Sequence, residues 1–160
     1  MNRFLFVQKI NILYFISSPL NEEIYMKKNC FFCKVSRDIT GTGLKRLAEN
    51  ENFILIRKNH CKKGLQLIFI PKKPDFDFKK ISSEENPNMS KEEKNIKKEF
   101  KELMEEAVIY INNSLSPKCH IYQDAGTCEC DKGRKMKVTV EGKQVEKLFH
   151  VAIILYITVL

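Results

Sequence analysis

The chain has 160 residues, of which 43% are hydrophobic, and a formal net charge of +8. That length suits one globular domain with a real core and is too short for two of ordinary size. The apolar content excludes an intrinsically disordered chain. Residues 57–80 carry eight Lys and Arg against two Asp, a local excess of +6 that could meet phosphate groups, although most basic surfaces are only solvated.

The front of the chain is predicted to be an appendage. Its apolar stretch is interrupted by Gln8, Lys9 and Asn11, which argues against both a signal peptide and a membrane span. We therefore expect residues 1–25 to form an extra element or a segment outside the native domain, and residues 26–160 to form a single domain. We expect no stable membrane insertion and a cytoplasmic or nuclear location.

Two short apolar runs predict a β-hairpin. "NFILIRK" (52–58) and "LQLIFI" (65–70) are rich in β-formers, and the second is bounded by Gly64 and Pro71. The polar connection "NHCKKG" between them is short enough for antiparallel pairing. The following run "KKISSEENPNMS" is polar and without period, which predicts a loop.

A long helix is predicted after this loop. Ser90 and Glu93 have the spacing of a capping box, in which each side chain satisfies a backbone N–H at the helix start. Apolar residues then recur at spacings of three and four, as on one face of a helix. They are Ile96, Phe100, Leu103, Met104, Ala107, Val108 and Ile111. Asn112, Asn113 and Pro117 are expected to end the helix.

The last third predicts a second hairpin. "CHIYQ" is followed by a glycine-containing stretch, "DAGTCECDKGRK", which we expect to be a loop, and by two apolar runs around Glu141-Gly142. The order is β-β-α-β-β. The predicted class is α+β, with an antiparallel sheet of about five strands and one long helix packed across it.

The motifs "CFFCKVS", "FILI", "NHCKKGLQLIFIPKK" and a final "FHVAII" resemble, in this order, landmarks of the histidine triad (HIT) superfamily. The resemblance spans about residues 30–157. The family's His-x-His-x-His motif converges on a phosphate, and its middle histidine is the nucleophile. The corresponding positions here are His150, Ala152 and Ile154.

Since Ala152 has no nucleophilic atom, the resemblance implies that the usual nucleotidyl hydrolase or transferase activity is lost. An active protein would hydrolyse a nucleotide phosphoester or phosphoramidate. On this alignment His150 is a relic, a structural residue or a ligand. A lone His beside a strand with two apolar faces is more commonly a hydrogen-bonded core or edge residue.

The resemblance also implies that nucleotide or phosphate binding is retained, and that the protein is a homodimer. Glycines allow close approach of the backbone to a phosphate, and lysines supply charge. The predicted nucleotide-binding residues are Lys62, Lys63, Gly126, Gly142 and Gln144.

Cys30 and Cys33 have the two-residue spacing by which a turn directs two thiolates at one metal ion. The resemblance implies zinc at this pair, but Pro74 stands where the family commonly has a third ligand. The substitutes are His60, Cys61, Cys128 and Cys130, of which two would complete a structural site. The alternative is that these are small, reduced core cysteines, as we expect for Cys119. A redox role is not expected, because no helix start is evident near Cys30.

Two other functions fit the residues. A zinc-stabilised module could bind RNA or an acidic partner through a basic face formed by Lys58, Lys62, Lys63, Lys72 and Lys73. Alternatively, the chain is an incomplete product of its gene that ends inside the strand expected to carry the signature.

Overall fold

The computed structural model describes residues 30–37, 43–60, 64–82, 87–115 and 119–159. In these ranges five strands form one antiparallel sheet with the order β1-β2-β3-β5-β4. The strands are β1 (Lys45–Glu49), β2 (Phe53–His60), β3 (Gly64–Pro71), β4 (Cys119–Val140) and β5 (Lys143–Val159). The helices are α1 (Phe31–Arg37), α2 (Lys79–Ser82) and α3 (Lys91–Ser114). The predicted α+β class is confirmed, and the predicted appendage lies outside the described residues.

The long helix α3 begins where the sequence predicts. The Ser90 hydroxyl accepts a hydrogen bond from the Glu93 N–H (3.1 Å), and the Ser90 N–H donates to the Glu93 carboxylate (3.2 Å). The apolar stripe faces the sheet, with Phe100, Leu103 and Ala107 in the core. No helix in the described residues is long and apolar enough to cross a membrane.

The sheet separates two hydrophobic clusters, because alternate residues of each strand face opposite sides. On the α3 side lie odd-numbered residues such as Phe53, Phe69 and Leu155. On the α1 side lie even-numbered residues such as Ile54 and Ile154, packed against Phe32 and Val35 of the short helix. β5 is an internal strand between β3 and β4, as its two apolar faces predict.

Both predicted hairpins are present. The β2–β3 ladder runs from Phe53–Pro71 to His60–Gly64. The β4–β5 hairpin turns at Glu141 (φ 50°) and Gly142 (φ 77°), the two positive φ angles that a type I′ turn requires. The sequence interpretation missed α1, β1 and α2, which are short elements stabilised by packing and pairing rather than by a strong local pattern.

The predicted loop "DAGTCECDKGRK" is wrong, because this stretch lies within β4. β4 pairs with β5 at residues 119–129 and 134–140, and residues 130–133 between Glu129 and Arg134 form a bulge that interrupts the ladder. Gly126 lies within this strand, paired with Ala152. A Cβ there would lie 2.6 Å from the Ile154 side chain and 3.2 Å from the Phe32 ring, so only glycine fits this close contact. The glycine signals close packing, not a loop.

Candidate metal centre

Helix α1 supplies the first two side chains of the centre. Cys30 directly precedes the helix, and its carbonyl accepts a hydrogen bond from the Lys34 N–H (2.9 Å). Cys33 follows three residues later, and residues at this spacing lie on one face of a helical turn. The expectation that no helix starts near Cys30 is therefore wrong. The helix start places both sulfur atoms toward the β4–β5 hairpin.

The hairpin supplies the other two side chains. His150 lies on β5, opposite Cys128 of β4. Cys130 lies two residues beyond Cys128, in the stretch where the register shifts. At this bulge the Cys130 Sγ atom lies 3.7 Å from the Cys33 Sγ atom. Residues about a hundred positions apart in the chain therefore meet at one point.

Three separations among the four ligand atoms match those of a tetrahedral zinc site. The His150 Nδ1 atom lies 3.5 Å from the Cys30 Sγ atom and 3.4 Å from the Cys33 Sγ atom. With Zn–S of about 2.3 Å and Zn–N of about 2.0–2.1 Å, tetrahedral angles require about 3.8 Å between sulfurs and about 3.5 Å between sulfur and nitrogen. All four atoms, those of Cys30, Cys33, Cys130 and His150, lie within 4.8 Å of one another. The cluster could hold one metal ion with little rearrangement.

The orientation of His150 favours metal binding. The side chain is fully buried, and its Nε2 atom lies 2.7 Å from the Pro71 carbonyl oxygen. A carbonyl only accepts, so Nε2 carries the proton and donates it, which leaves the Nδ1 lone pair facing the sulfurs. Burial lowers the pKa of His150, while the hydrogen bond to Pro71 opposes this shift. The imidazole is thus held neutral, in the tautomer that ligates through Nδ1.

A fifth sulfur lies beside the cluster. Cys128 is fully buried, and its Sγ atom accepts a hydrogen bond from the Phe31 N–H at 3.2 Å. A hydrogen bond from the Cys30 thiol, together with the N–H groups of Phe31 and Phe32, lowers the pKa of Cys128. The same hydrogen bond, together with burial, raises the pKa of Cys30. Cys128 is therefore linked to the start of α1 through the Phe31 N–H and lies outside the set of four.

The structure brings only some of the predicted metal ligands together. Cys30, Cys33 and Cys130 come together with His150, which the sequence interpretation had placed first among triad positions. Cys61 and the His60 side chain lie outside the described residues. Cys119, predicted to be a core residue, begins β4 and is half-buried against the α3-side cluster.

The predicted nucleotide-binding residues that the structure describes, Gly126, Gly142 and Gln144, do not converge. Lys62 and Lys63 lie outside the described residues. Gly126 packs against Ile154 and Phe32, whereas Gly142 forms the hairpin turn and Gln144 is exposed just after it. Ala152, opposite Gly126, lies nine positions along β5 from Lys143 at the turn, about 30 Å in extended strand. Gly126 and Gly142 therefore do not lie together.

Comparisons with protein-family models, with curated proteins and with solved structures find no match to this chain. The resemblance to the histidine triad superfamily therefore stays a prediction. The function of the metal centre is inferred from its own geometry and chemistry.

The bulge depends on Gly133. A Cβ atom at this position would lie 2.6 Å from the Phe149 carbonyl oxygen and 2.7 Å from its nitrogen, and backbone cannot move as a side chain can. We expect Gly133→Ala to destabilise the domain by about 1–3 kcal/mol, as overpacking does, and to weaken zinc binding by displacing Cys130. Competition with a metal indicator measures the affinity.

The matched control is Gly142→Ala. Its positive φ also makes the substitution strained, but no atom lies within 4 Å of the added Cβ and the turn is distant from the sulfurs. This variant is expected to lose stability and keep the parental zinc affinity. Equal zinc affinities in the two variants would show that the bulge does not position Cys130.

Proposed function

We propose that this chain is a zinc-binding domain in which one Zn²⁺ ion, held by Cys30, Cys33, Cys130 and His150, joins α1 to the β4–β5 hairpin. The observation that carries the proposal is the convergence of four ligand atoms within 4.8 Å of one another, with three of their separations at 3.4–3.7 Å. Four protein ligands complete the coordination of zinc and leave no position for water or substrate. Such closed sites are structural rather than catalytic.

The donor set favours zinc over other common ions. Three thiolates and one imidazole are soft or intermediate ligands, which Mg²⁺ and Ca²⁺ do not prefer. No Asp or Glu belongs to the cluster in the part of the chain that the structure describes. Zinc accepts the tetrahedral arrangement of sulfur and nitrogen without a geometric penalty.

The ion would stabilise a contact that is otherwise weak. α1 has only seven residues, too few to be stable without tertiary contacts. Each ligand at α1 is separated from each ligand on the hairpin by 97 to 120 positions along the chain. By analogy with a disulfide that closes a loop of this length, a cross-link would stabilise the fold by about 4–5 kcal/mol, through the lost entropy of the unfolded chain.

The biochemical role that we propose for this domain is binding rather than catalysis. The net charge of +8 suits a polyanionic partner such as RNA or an acidic protein surface. Of the lysines predicted to form a basic face, Lys72 pairs with Glu49 at 2.6 Å and Lys73 lies 3.9 Å from Glu92, whereas Lys58 is exposed on the α1 side. No comparable observation in the described residues favours a nucleotide site, because Gly126 and Gly142 lie far apart along the β4–β5 hairpin.

Elemental analysis and cobalt substitution of the purified full chain test the metal proposal. We expect one zinc ion per chain. We also expect the Co²⁺-substituted protein to show the intense visible bands of tetrahedral cobalt together with thiolate-to-cobalt charge transfer in the near ultraviolet. A folded protein without zinc, or an octahedral cobalt spectrum, would contradict the proposal.

A further inference from the structure

A pair of tyrosines lies on the α1 side of the sheet. Tyr122 of β4 is directly paired with Tyr156 of β5, and their ring centroids lie 6.2 Å apart at an interplanar angle of 45°. Tyr122 is 64% exposed, the highest value among the exposed large hydrophobic side chains of the described residues. A cross-strand aromatic pair stabilises a sheet by at most about 1 kcal/mol, and it does not require a ring so open to water.

The tyrosines belong to a row that crosses four strands. Lys58 of β2 is paired with Gln66 of β3, which is paired with Tyr156. Three inter-strand steps separate Lys58 from Tyr122, a span of about 14 Å. Lys58 is exposed, and its Nζ atom lies 5.6 Å from the centre of the Phe31 ring. The row therefore presents flat aromatic surface at one end and a positive charge at the other.

From this row we propose that the α1 side of the sheet binds single-stranded nucleic acid. A base stacks on the exposed face of Tyr122, and Lys58 neutralises a phosphate further along the bound oligonucleotide. Single strands are the matching partner, because bases in a duplex already stack on one another and offer no face to a side chain. Stacking without base-edge contacts makes the binding tolerant of sequence.

The neighbouring rows determine on which side of Tyr122 the phosphates of the bound oligonucleotide lie. Asp124 lies on the same face, one row closer to the metal centre, and its carboxylate accepts a hydrogen bond from the Ala125 N–H. Its negative charge repels phosphates. The row on the other side of Tyr122 contains exposed His120, opposite Thr158. Phosphates next to the base stacked on Tyr122 are therefore expected on the His120 side of the row rather than on the Asp124 side.

This proposal deepens the binding role above and connects it with the metal. Phe31, which lies under the Lys58 ammonium group, is adjacent to Cys30 in the sequence, and its N–H donates to Cys128. A metal ion that holds Cys30 therefore also fixes Phe31 and, with it, the Lys58 end of the row. Removing zinc is expected to weaken nucleic-acid binding even though none of the four zinc-binding residues contacts the nucleic acid.

The test uses the full chain and a fluorescent short oligouridine at low salt, with affinity read by anisotropy. Tyr122→Ala is expected to weaken binding about ten-fold, within the range for one base–aromatic stack. Tyr122→Phe keeps the ring and is expected to bind as the parent does. Ile109→Ala is the matched control, because Ile109 is 52% exposed on α3, a helix on the opposite side of the sheet.

Several outcomes would contradict nucleic-acid binding at this row. No binding of oligouridine or oligothymidine, equal competition by a duplex, or unchanged affinity in Tyr122→Ala each contradicts it. A preference for oligouridine over oligothymidine would identify RNA as the source of the single strand. Zinc content is measured on every variant: one bound zinc without oligonucleotide binding rejects this proposal alone. Oligonucleotide binding without zinc supports it while rejecting the metal.

Discussion

Cys130→Ser is expected to lose the bound zinc and to unfold about 10 °C below the parent chain. Cys130 supplies one of three sulfur ligands, and a serine hydroxyl is a poor replacement for a thiolate on zinc. With free zinc at a thousand times its dissociation constant, binding stabilises the native state by about 4 kcal/mol. For a domain of this size each kcal/mol shifts Tm by about 2–4 °C.

Thermal unfolding with and without a chelator measures this effect, and elemental analysis gives the zinc content. Cys119→Ser is the matched control, because Cys119 begins the same strand, is half-buried and lies outside the cluster. It is expected to retain one zinc and respond to the chelator as the parent does. If the parent chain has the same Tm with and without a chelator, zinc does not stabilise this fold.

Phe53→Ala is expected to destabilise the domain by about 3–5 kcal/mol, the usual cost of removing a fully buried phenylalanine ring. Phe53 has no exposed surface, and its ring centroid lies 5.3 Å from that of Phe76 and 5.4 Å from that of Phe100. The substitution thus removes the centre of the aromatic cluster that joins β2 to α3. Since native domains are stable by only about 5–15 kcal/mol, the loss is a large share of the total.

Urea denaturation measures the loss as a lower midpoint with an unchanged slope. The variant is expected to keep its zinc, because Phe53 faces α3 and the metal ligands lie on the other side of the sheet. Val140→Ala, near the exposed hairpin turn, is the control and is expected to change stability by less than about 0.5 kcal/mol. A small effect of Phe53→Ala would contradict the packing of α3 on the sheet.

The elements that the sequence predicts well are those with strong local signals. Ser90 and Glu93 mark the start of α3 because a capping box involves residues only three apart. Glu141-Gly142 marks a turn because few residues tolerate the positive φ angles that it needs. Alternate residues of β5 point to opposite faces of the sheet, and both sets are apolar, which indicated an internal strand.

Part of the candidate site was also predictable. The spacing of Cys30 and Cys33 indicated half of a metal site, and Cys130 was among the named substitutes. Cys128 and Cys130 were both named as candidates to complete the site, and nothing in the sequence distinguished between them. His150 was singled out as the polar ring among apolar residues, and a ligand was one of its three interpretations. Of the six metal ligands that the sequence predicts, the structure brings Cys30, Cys33 and Cys130 to His150.

What only the tertiary structure decided depends on pairing between distant segments. β4 continues through two glycines and a polar stretch because β5 provides its hydrogen bonds and Ile154 and Phe149 occupy the space beside the glycines. The bulge in that ladder selects Cys130, and the Pro71 carbonyl selects the tautomer of His150. Local sequence determines where a helix or turn begins, whereas contacts between residues about a hundred positions apart determine which side chains meet at the metal centre.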